Sequence, residues 1–490
     1  MIVLFNPIST TPGKQPLPLS LMALGAVLEG RADWCLVDGN IEPDPAARIL
    51  AAFAGRFDAP LLAVSVMPGP QVAQAVNVCR AVRAARPDIA IVWGGYFPTQ
   101  HTETVMQSPL VDFVIRSQGE APLLQLVDAL AQGSALDGVG GLSWKRNGAI
   151  VHNALGHMTA LDELPELPYH RVDMPKYLHR NYLGQRTVAH NTSFGCPFAC
   201  AFCAVGTMAH RRWLHHSPAR MAGTLRHLQT TYGVDAVQMH DMDFFISEDR
   251  TKEFATRIAP LGLAWWALGR VDVLMGYSDA TWQAMQRSGL KMIFSGAESG
   301  SDEQLAAMNK GGNASASQTL ALARRARDYG IVPEFSFVLG SPPDPLGDVP
   351  ATFEFIRKIK AINPAAEIVL YTYTPVIADG DLPARAAEMS FAFPDSLDGF
   401  AAPAWQQLSM RRGDGIPWMT REVQRRARNF ERVLNAFYPT VTDPRLTGVA
   451  RTLLRAAGGW RYALRLYGAP YELRALHRLM HYQRPETTGF

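Results

Sequence analysis

Three of the five cysteines fall within eight positions, in the run Asn191-Thr-Ser-Phe-Gly-Cys196-Pro-Phe-Ala-Cys200-Ala-Phe-Cys203. The spacing is CxxxCxxC. Thiolates hold iron–sulfur clusters, and a four-iron cubane bound by only three of them keeps one iron without a protein ligand. That open corner can chelate a small molecule through an amine and a carboxylate, and an electron can then pass into it. The alternative chemistry is a zinc site. Zinc prefers four ligands and usually draws on CxxC pairs, and His210, His215 or His216 could supply the fourth. The chain has no second cysteine pair, and the motif follows a strand-like run instead of forming a small knuckle. An odd count bunched in this way is not a disulfide framework. Cys35, inside WCLV, and Cys79, on an apolar helix face, read as buried core thiols.

The elements that must hold this loop alternate between apolar runs and helical stretches. Candidate strands are Val188–Thr192, Ala236–His240, Ala264–Leu268, Met292–Phe294, Glu334–Val338 and Ile368–Thr372. Six strand–helix units from 186 to 385 are consistent with an open, partial (β/α)6 barrel, whose chemistry lies at the C-terminal strand ends. The cysteines follow the first strand. Ahead of it, residues 1–135 carry apolar runs at Ile2–Phe5, Trp34–Val37, Pro60–Val66, Ile89–Trp93 and Val111–Ile115. Val72, Ala75, Val76, Cys79 and Val82 repeat at helical spacing between the third and fourth. This is the pattern of a Rossmann-like, doubly wound parallel sheet, which binds ligands at its carboxyl strand ends. Those ends carry Ser65, the pair Gly94-Gly95, and Ser117-Gln118-Gly119-Glu120, where glycine lets a ligand approach the backbone. Residues 136–185 read as a linker with a small hairpin near 145–148, and 386–490 as a helical domain. The fold class is α/β throughout.

On these residues the chain resembles the radical S-adenosylmethionine (SAM) superfamily, with a 4Fe-4S cluster on Cys196, Cys200 and Cys203. The resemblance makes Phe202 the aromatic beside the SAM adenine, and QMHDMDFF, with Asp241 and Asp243, the acidic second strand end. It puts Arg270 at the third strand end, Glu298 in FSGAESG against the SAM ribose or amino group, and Gly340 in FVLGSPPD near the adenine. Asp241, Asp243 and Arg270 could equally pair with one another as strand-end charges. The sixth strand, YTYTPVIADGDL, departs from the family's Pro-Gly-Thr continuation.

A doubly wound domain ahead of such a barrel resembles the cobalamin-binding class of this superfamily. VWGGYFPTQ and VIRSQGEAPLLQLVDAL match how that class ends its fourth and fifth strands. The DxHxxG signature is absent, with Asp38-Gly39-Asn40 as the nearest analogue. The resemblance then implies cobalamin with no histidine on its lower face, and Met67 near the cobalt. It implies methylation of an unactivated carbon through a 5′-deoxyadenosyl radical. The motif order also resembles the anaerobic magnesium-protoporphyrin ester cyclase, which oxidises its substrate without methyl transfer. Expected partners are a small-molecule substrate and an electron donor such as flavodoxin or ferredoxin.

Composition adds exclusions. With 47 Lys+Arg against 44 Asp+Glu, a net charge of +3 does not argue for nucleic acid. MIVLFNP lacks a basic n-region and no run of about 18 apolar residues occurs, so a cytoplasmic location is expected. Residues 451–484 carry seven Arg (451, 455, 461, 465, 474, 478, 484) near Trp460, Tyr462 and Tyr467. They form either a solvated helical face or a basic amphipathic surface for peripheral membrane contact. A non-catalytic zinc module using that surface on nucleic acid or membrane is the reading from a different class.

Overall fold

The computed structural model describes every residue except 56, 311–313, 343, 379, 410–414, 444–445 and 481–490. Arg484 lies outside the described residues. The first domain is built on β1 (Ile2–Asn6), β2 (Trp34–Asp38), β3 (Leu61–Ser65), β4 (Ala90–Gly94), β5 (Phe113–Ile115), β6 (Leu142–Arg146) and β7 (Ala149–His152). Their order is β2-β1-β3-β4-β5-β6-β7. The first five run parallel. Alternate residues serve opposite faces. Val3, Phe5, Leu62, Val64 and Trp93 join one core, with Val72, Val76 and Cys79 of the helix Pro70–Ala85. Ile2, Leu4, Leu61, Ala63 and Val92 join the other, with residues of Leu19–Leu28 and Glu120–Gln132. Both faces are covered, which explains why the strands read as continuous apolar runs. The hairpin read from sequence into the linker is β6–β7, and β6 pairs antiparallel with β5, extending this sheet.

The second sheet is β15-β14-β13-β12-β11-β8, parallel throughout. It uses β8 (Thr187–His190), β11 (Ala236–Met239), β12 (Ala264–Leu268), β13 (Leu290–Glu298), β14 (Val332–Leu339) and β15 (Glu367–Thr372). Its edges are β15 and β8, so the six-stranded barrel is open. Two short strands, β9 (Ser193–Gly195) and β10 (Trp213–His215), pair antiparallel beside it and bracket the cysteine loop. The C-terminal helices divide their packing. Leu397–Ala401 lies on the first domain, where Arg80 pairs with Asp398 at 2.6 Å and Phe400 meets Phe97 at 4.9 Å. Arg421–Phe437 lies on Asp348–Ile362, with Phe430 stacked on Phe353 at 3.9 Å.

Candidate active site

The cysteine loop is held at both ends. Where β9 ends, Gly195 has φ +80°, and a Cβ there would sit 2.3 Å from Arg212 O and 2.7 Å from Ala209 Cβ. Only glycine fits this left-handed, closely packed turn. Upstream, the buried carboxylate of Asp241 accepts from Thr192 N–H at 3.0 Å, from the Thr192 hydroxyl at 2.7 Å, and from the Ser193 hydroxyl. Arg250 closes the network by donating to Thr192 Oγ1 at 2.6 Å. Asp241 therefore anchors the strand that enters the motif. Inside the loop, Cys203 N–H bonds Cys200 O at 3.1 Å, and Ala201 N–H bonds Met308 O at 2.9 Å.

Three further strand ends face the thiols. Arg270, after β12, donates to Cys200 Sγ at 3.1 Å, to Lys310 O at 2.8 Å and to Asp272 at 2.8 and 3.0 Å, with its guanidinium 3.9 Å from the centre of the Phe198 ring. Glu298, ending β13, sits at φ +60° and is ion-paired with buried Lys310, which also bonds Gly296 O at 2.5 Å. A non-glycine residue held there is a strained position of the kind that gathers at functional sites. Asp243, after β11, accepts from Phe245 N–H at 3.1 Å, while its other oxygen is buried without a partner. Burial pushes Asp243 up to about 7, against the pull of Arg270. Burial pushes Cys196 up to about 12, with Asp243, Cys203 and Cys200 adding to the rise. Cys200 is also raised by burial, and Arg270 and Lys310 oppose this.

A cleft of about 1320 Å³ of empty space, its open mouth included, separates the two sheets. One wall is the strand-end edge of the first domain: Ser65, Gly94, Gly95, Ser117, Gln118, Gly119 and Glu120. The facing wall is His190, Asn191, Ser193 and Phe194 at the root of the cysteine loop. Leu161, Glu166 and Tyr169, from the segment read as linker, complete it, with Tyr169 Oη hydrogen-bonded to His190 Nε2 at 2.7 Å. Gly95 has φ +93°, and a Cβ would lie 3.1 Å from Ser65 Oγ.

Two domain models match this architecture: the B12 binding domain over residues 6–127 and the radical SAM superfamily over residues 190–356. The chain thus carries a B12 binding domain followed by a radical SAM domain. An uncharacterized methyltransferase of Pyrococcus horikoshii, PH0819, is 29% identical over 346 residues, spanning 70% of this chain and 73% of that one. The anaerobic magnesium-protoporphyrin IX monomethyl ester cyclase of Synechocystis is 27% identical over 315 residues, covering 63% of this chain and 62% of its own. The radical SAM methyltransferase TsrM from Kitasatospora setae, solved with cobalamin and a [4Fe-4S] cluster, superposes with a TM-score of 0.64 over 82% of this chain and 79% of that one. Its identity is 17%, so this likeness establishes the fold.

The residues of these two domains fit both groups. For the cluster, the donor set is three half-buried thiols within electrostatic reach of one another, met by an Arg270 N–H. Among the described residues no three His, Cys, Asp or Glu side chains are gathered closely enough to hold a single ion. Of the histidines weighed for zinc, His216 is bonded to Asp162 at 3.0 Å, His215 to the His216 carbonyl at 3.1 Å, and His210 is exposed. For cobalamin, the glycine-flattened wall carries Ser117, at φ +67°, whose hydroxyl is buried without a partner and is free for a ligand.

The expected residues distribute unevenly. Ser65, Gly94, Gly95, Gly119 and Glu120 all line the cleft. Burial raises the Glu120 carboxyl, while its own N–H and that of Gly119 oppose the shift. Met67 is not among the lining residues; its N–H is capped by Gln71 at 2.7 Å. Gly340 lies under the C-terminal segment: Trp418 Nε1–H bonds its carbonyl at 2.8 Å, and a Cβ would strike Met419 Sδ at 2.4 Å. Phe202 is half-buried, with Lys310 Nζ 5.8 Å from its ring centre. Lys310, Arg250 and Asp272 escaped the sequence reading, whereas Ser117 stands in it as the first residue of the Ser-Gln-Gly-Glu strand end.

Proposed function

We propose that this protein is a cobalamin-dependent radical SAM methyltransferase acting on an unactivated carbon of a small molecule. One observation carries the reading. Ser193 and Phe194 of β9 form the far wall of the cleft, and the same strand runs through Gly195 into Cys196. A flat group resting on the glycine edge of the first domain is thus one strand away from the cluster loop. When bound, the cluster and SAM supply the 5′-deoxyadenosyl radical, and cobalamin supplies the methyl group.

The chain's own residues bind, orient and exclude water. Cys196, Cys200 and Cys203 hold the cluster, and Arg270 fixes Cys200. Asp243 offers its unpartnered oxygen, and Glu298 a carboxylate poised by Lys310, to the polar groups of SAM. Phe202, half-buried beside Lys310, is assigned to the adenine side. Apolar lining from Leu19, Leu24, Ile115 and Leu123 keeps water from the cleft, which a reactive carbon centre requires. The reductant is a one-electron donor of the flavodoxin or ferredoxin kind, and the location is cytoplasmic. No described helix is long and apolar enough to cross a membrane.

The test is anaerobic incubation with SAM, reductant and methylcobalamin, followed by mass analysis. S-adenosylhomocysteine together with 5′-deoxyadenosine is the expected result, and Cys200→Ala abolishes both. 5′-Deoxyadenosine alone would support oxidation without methyl transfer, the second reading, which the cyclase relatives favour. Zinc without iron in the reconstituted protein would overturn both.

A further inference from the structure

The exposed apolar surface of the molecule is concentrated far from the cleft-lining residues in the chain. Of the twelve large apolar side chains exposed among the described residues, seven lie between 449 and 479. In the helix Gly448–Ala463 and its cap, Val449, Leu453, Ala456, Trp460, Ala463 and Leu464 fall within about 100° of one another at helical spacing. Val449 is 72% exposed, Leu464 64% and Trp460 49%. The opposite side is already used: Leu454, Gly458 and Tyr462 are buried, and a Cβ on Gly458 would lie 2.8 Å from Ala436 Cβ. The helix is therefore apolar on two sides and packed on one.

Charge supplies the second, independent observation. Residues 421–480 hold twelve Arg, no Lys and four acids, a net +8, whereas the whole chain is +3, so the remainder carries −5. Some of these arginines serve the fold: Arg451 and Arg461 bind backbone carbonyls, and Arg461 pairs with Glu472. Arg474 donates to Asn429 Oδ1 at 3.2 Å and so joins the last described helix to Arg421–Phe437. Arg421, Arg425 and Arg428 instead line a groove with exposed side chains, and Arg478 stands exposed beside Leu479. An apolar stripe with Trp and Tyr, flanked by arginines that can reach upward, is the pattern of a helix lying in a lipid interface.

We propose that these helices dock the protein on an anionic membrane, the stripe entering the headgroup boundary and the arginines pairing lipid phosphates. Charge complementarity selects this occupant. A second copy would set two strongly positive surfaces against each other, and a nucleic acid has no use for the Val and Leu stripe. The inference does not rest on the cofactor chemistry.

The reconstituted full-length protein is co-sedimented with vesicles of phosphatidylcholine alone and of an equimolar mixture with phosphatidylglycerol. Binding to the mixture, weakened by salt, is expected. The variant Leu453→Ser/Trp460→Ser/Leu464→Ser, whose changes all point outward, is expected to bind about tenfold or more weakly, with circular dichroism and iron content unchanged. Arg425→Glu/Arg478→Glu, both at exposed positions, tests the charge independently and weakens binding to the mixture. The proposal fails if neither vesicle sediments the protein, or if both variants bind like the parent. It fails also if the parent is a dimer that the serine variant turns into monomers, or if an oligonucleotide competes the vesicles away.

Discussion

Asp241→Asn is the perturbation that separates a structural role for this acid from a cofactor role. The substitution keeps the volume and removes the charge. The native carboxylate takes the one Thr192 N–H, shared between its two oxygens at 3.0 and 3.1 Å, and two hydroxyl contacts, and lies in the field of buried Arg250. Burial raises the Asp241 carboxyl, and the Ser193 bond, Arg250 and Thr192 pull it back. A hydrogen bond to a charged group is worth about 1.5–3 kcal/mol, and the amide oxygen retains part of this set. Its NH2 must then face the Thr192 or Ser193 donors, and Arg250 loses its nearest anion. A loss of about 3 kcal/mol is expected, toward the lower end of what breaking a buried charge pair costs (about 3–5 kcal/mol). The cost falls on β9, so the cysteine loop loosens first. Urea unfolding followed by tryptophan fluorescence gives the stability, and iron and sulfide per chain after anaerobic reconstitution give loop integrity. Exposed Asp249→Asn is the control. Wild-type urea resistance with full iron would refute the reasoning. Lost stability with full iron would show that the network serves the sheet and not the cluster loop.

Gly195→Ala is expected to cost about 2 kcal/mol or more, from the positive φ and the contact with Arg212 O, and to reduce iron loading on the same assay. Ser117→Ala should leave urea stability within about 0.5 kcal/mol and weaken hydroxocobalamin binding about threefold to tenfold, read by absorbance titration. Gly94→Leu, which fills the flat wall, should abolish that binding while iron content stays whole. Burial, with Glu367 opposite on β15, pushes Glu334 up to about 8 from an ordinary 4.5. Its folded pKa is raised, so the stability it allows is fully present below about pH 4.5 and is lost as pH climbs to about 8. Glu334→Gln should therefore match the parent near pH 4.5 and exceed it by up to about 4 kcal/mol near pH 7.5, at about 1.36 kcal/mol per pH unit. Parallel stability–pH curves for the two proteins would refute this.

The sheets were legible because parallel strands buried on both faces spell themselves as apolar runs, and Ala264–Leu268 agrees to the residue. β13 is longer than Met292–Phe294 because Ser295-Gly296-Ala297 reads as a loop. Ser295 and Gly296 pair with β14 nonetheless, Ala297 is bulged out, and Glu298 pairs again with Phe337 as the last residue of the strand. β9 and β10 had no signal at all. Each is three residues long, which is too short for a period of two to show. Their pairing, across a loop of 17 residues, depends on the Gly195 turn. The cysteines were plain from spacing. The partners of Asp241 and Glu298 were not, because Thr192 and Lys310 reach them only once the strand ends have been gathered into one rim.

That gathering also sets the charge beside the cluster loop. Two cations approach Cys200, and each arrives with its own anion: Arg270 with Asp272 at 2.8 Å, and Lys310 with Glu298. Bare cations would stabilise the thiolates but would also favour added electrons on whatever they hold, since cluster potentials follow local charge and hydrogen bonding. Neutral pairs keep the directed N–H contact to Cys200 while cancelling most of the net charge. They also keep each cation from being buried alone, which is the costly arrangement. Arg270 follows β12, Lys310 follows β13, and Asp243, beside Cys196, follows β11. The site can therefore exist only when three successive strands and the β9 root are in register. The fold and the site are specified by the same strand ends, and this is why the loop cysteines sit on the rim of the barrel and not on an appended module.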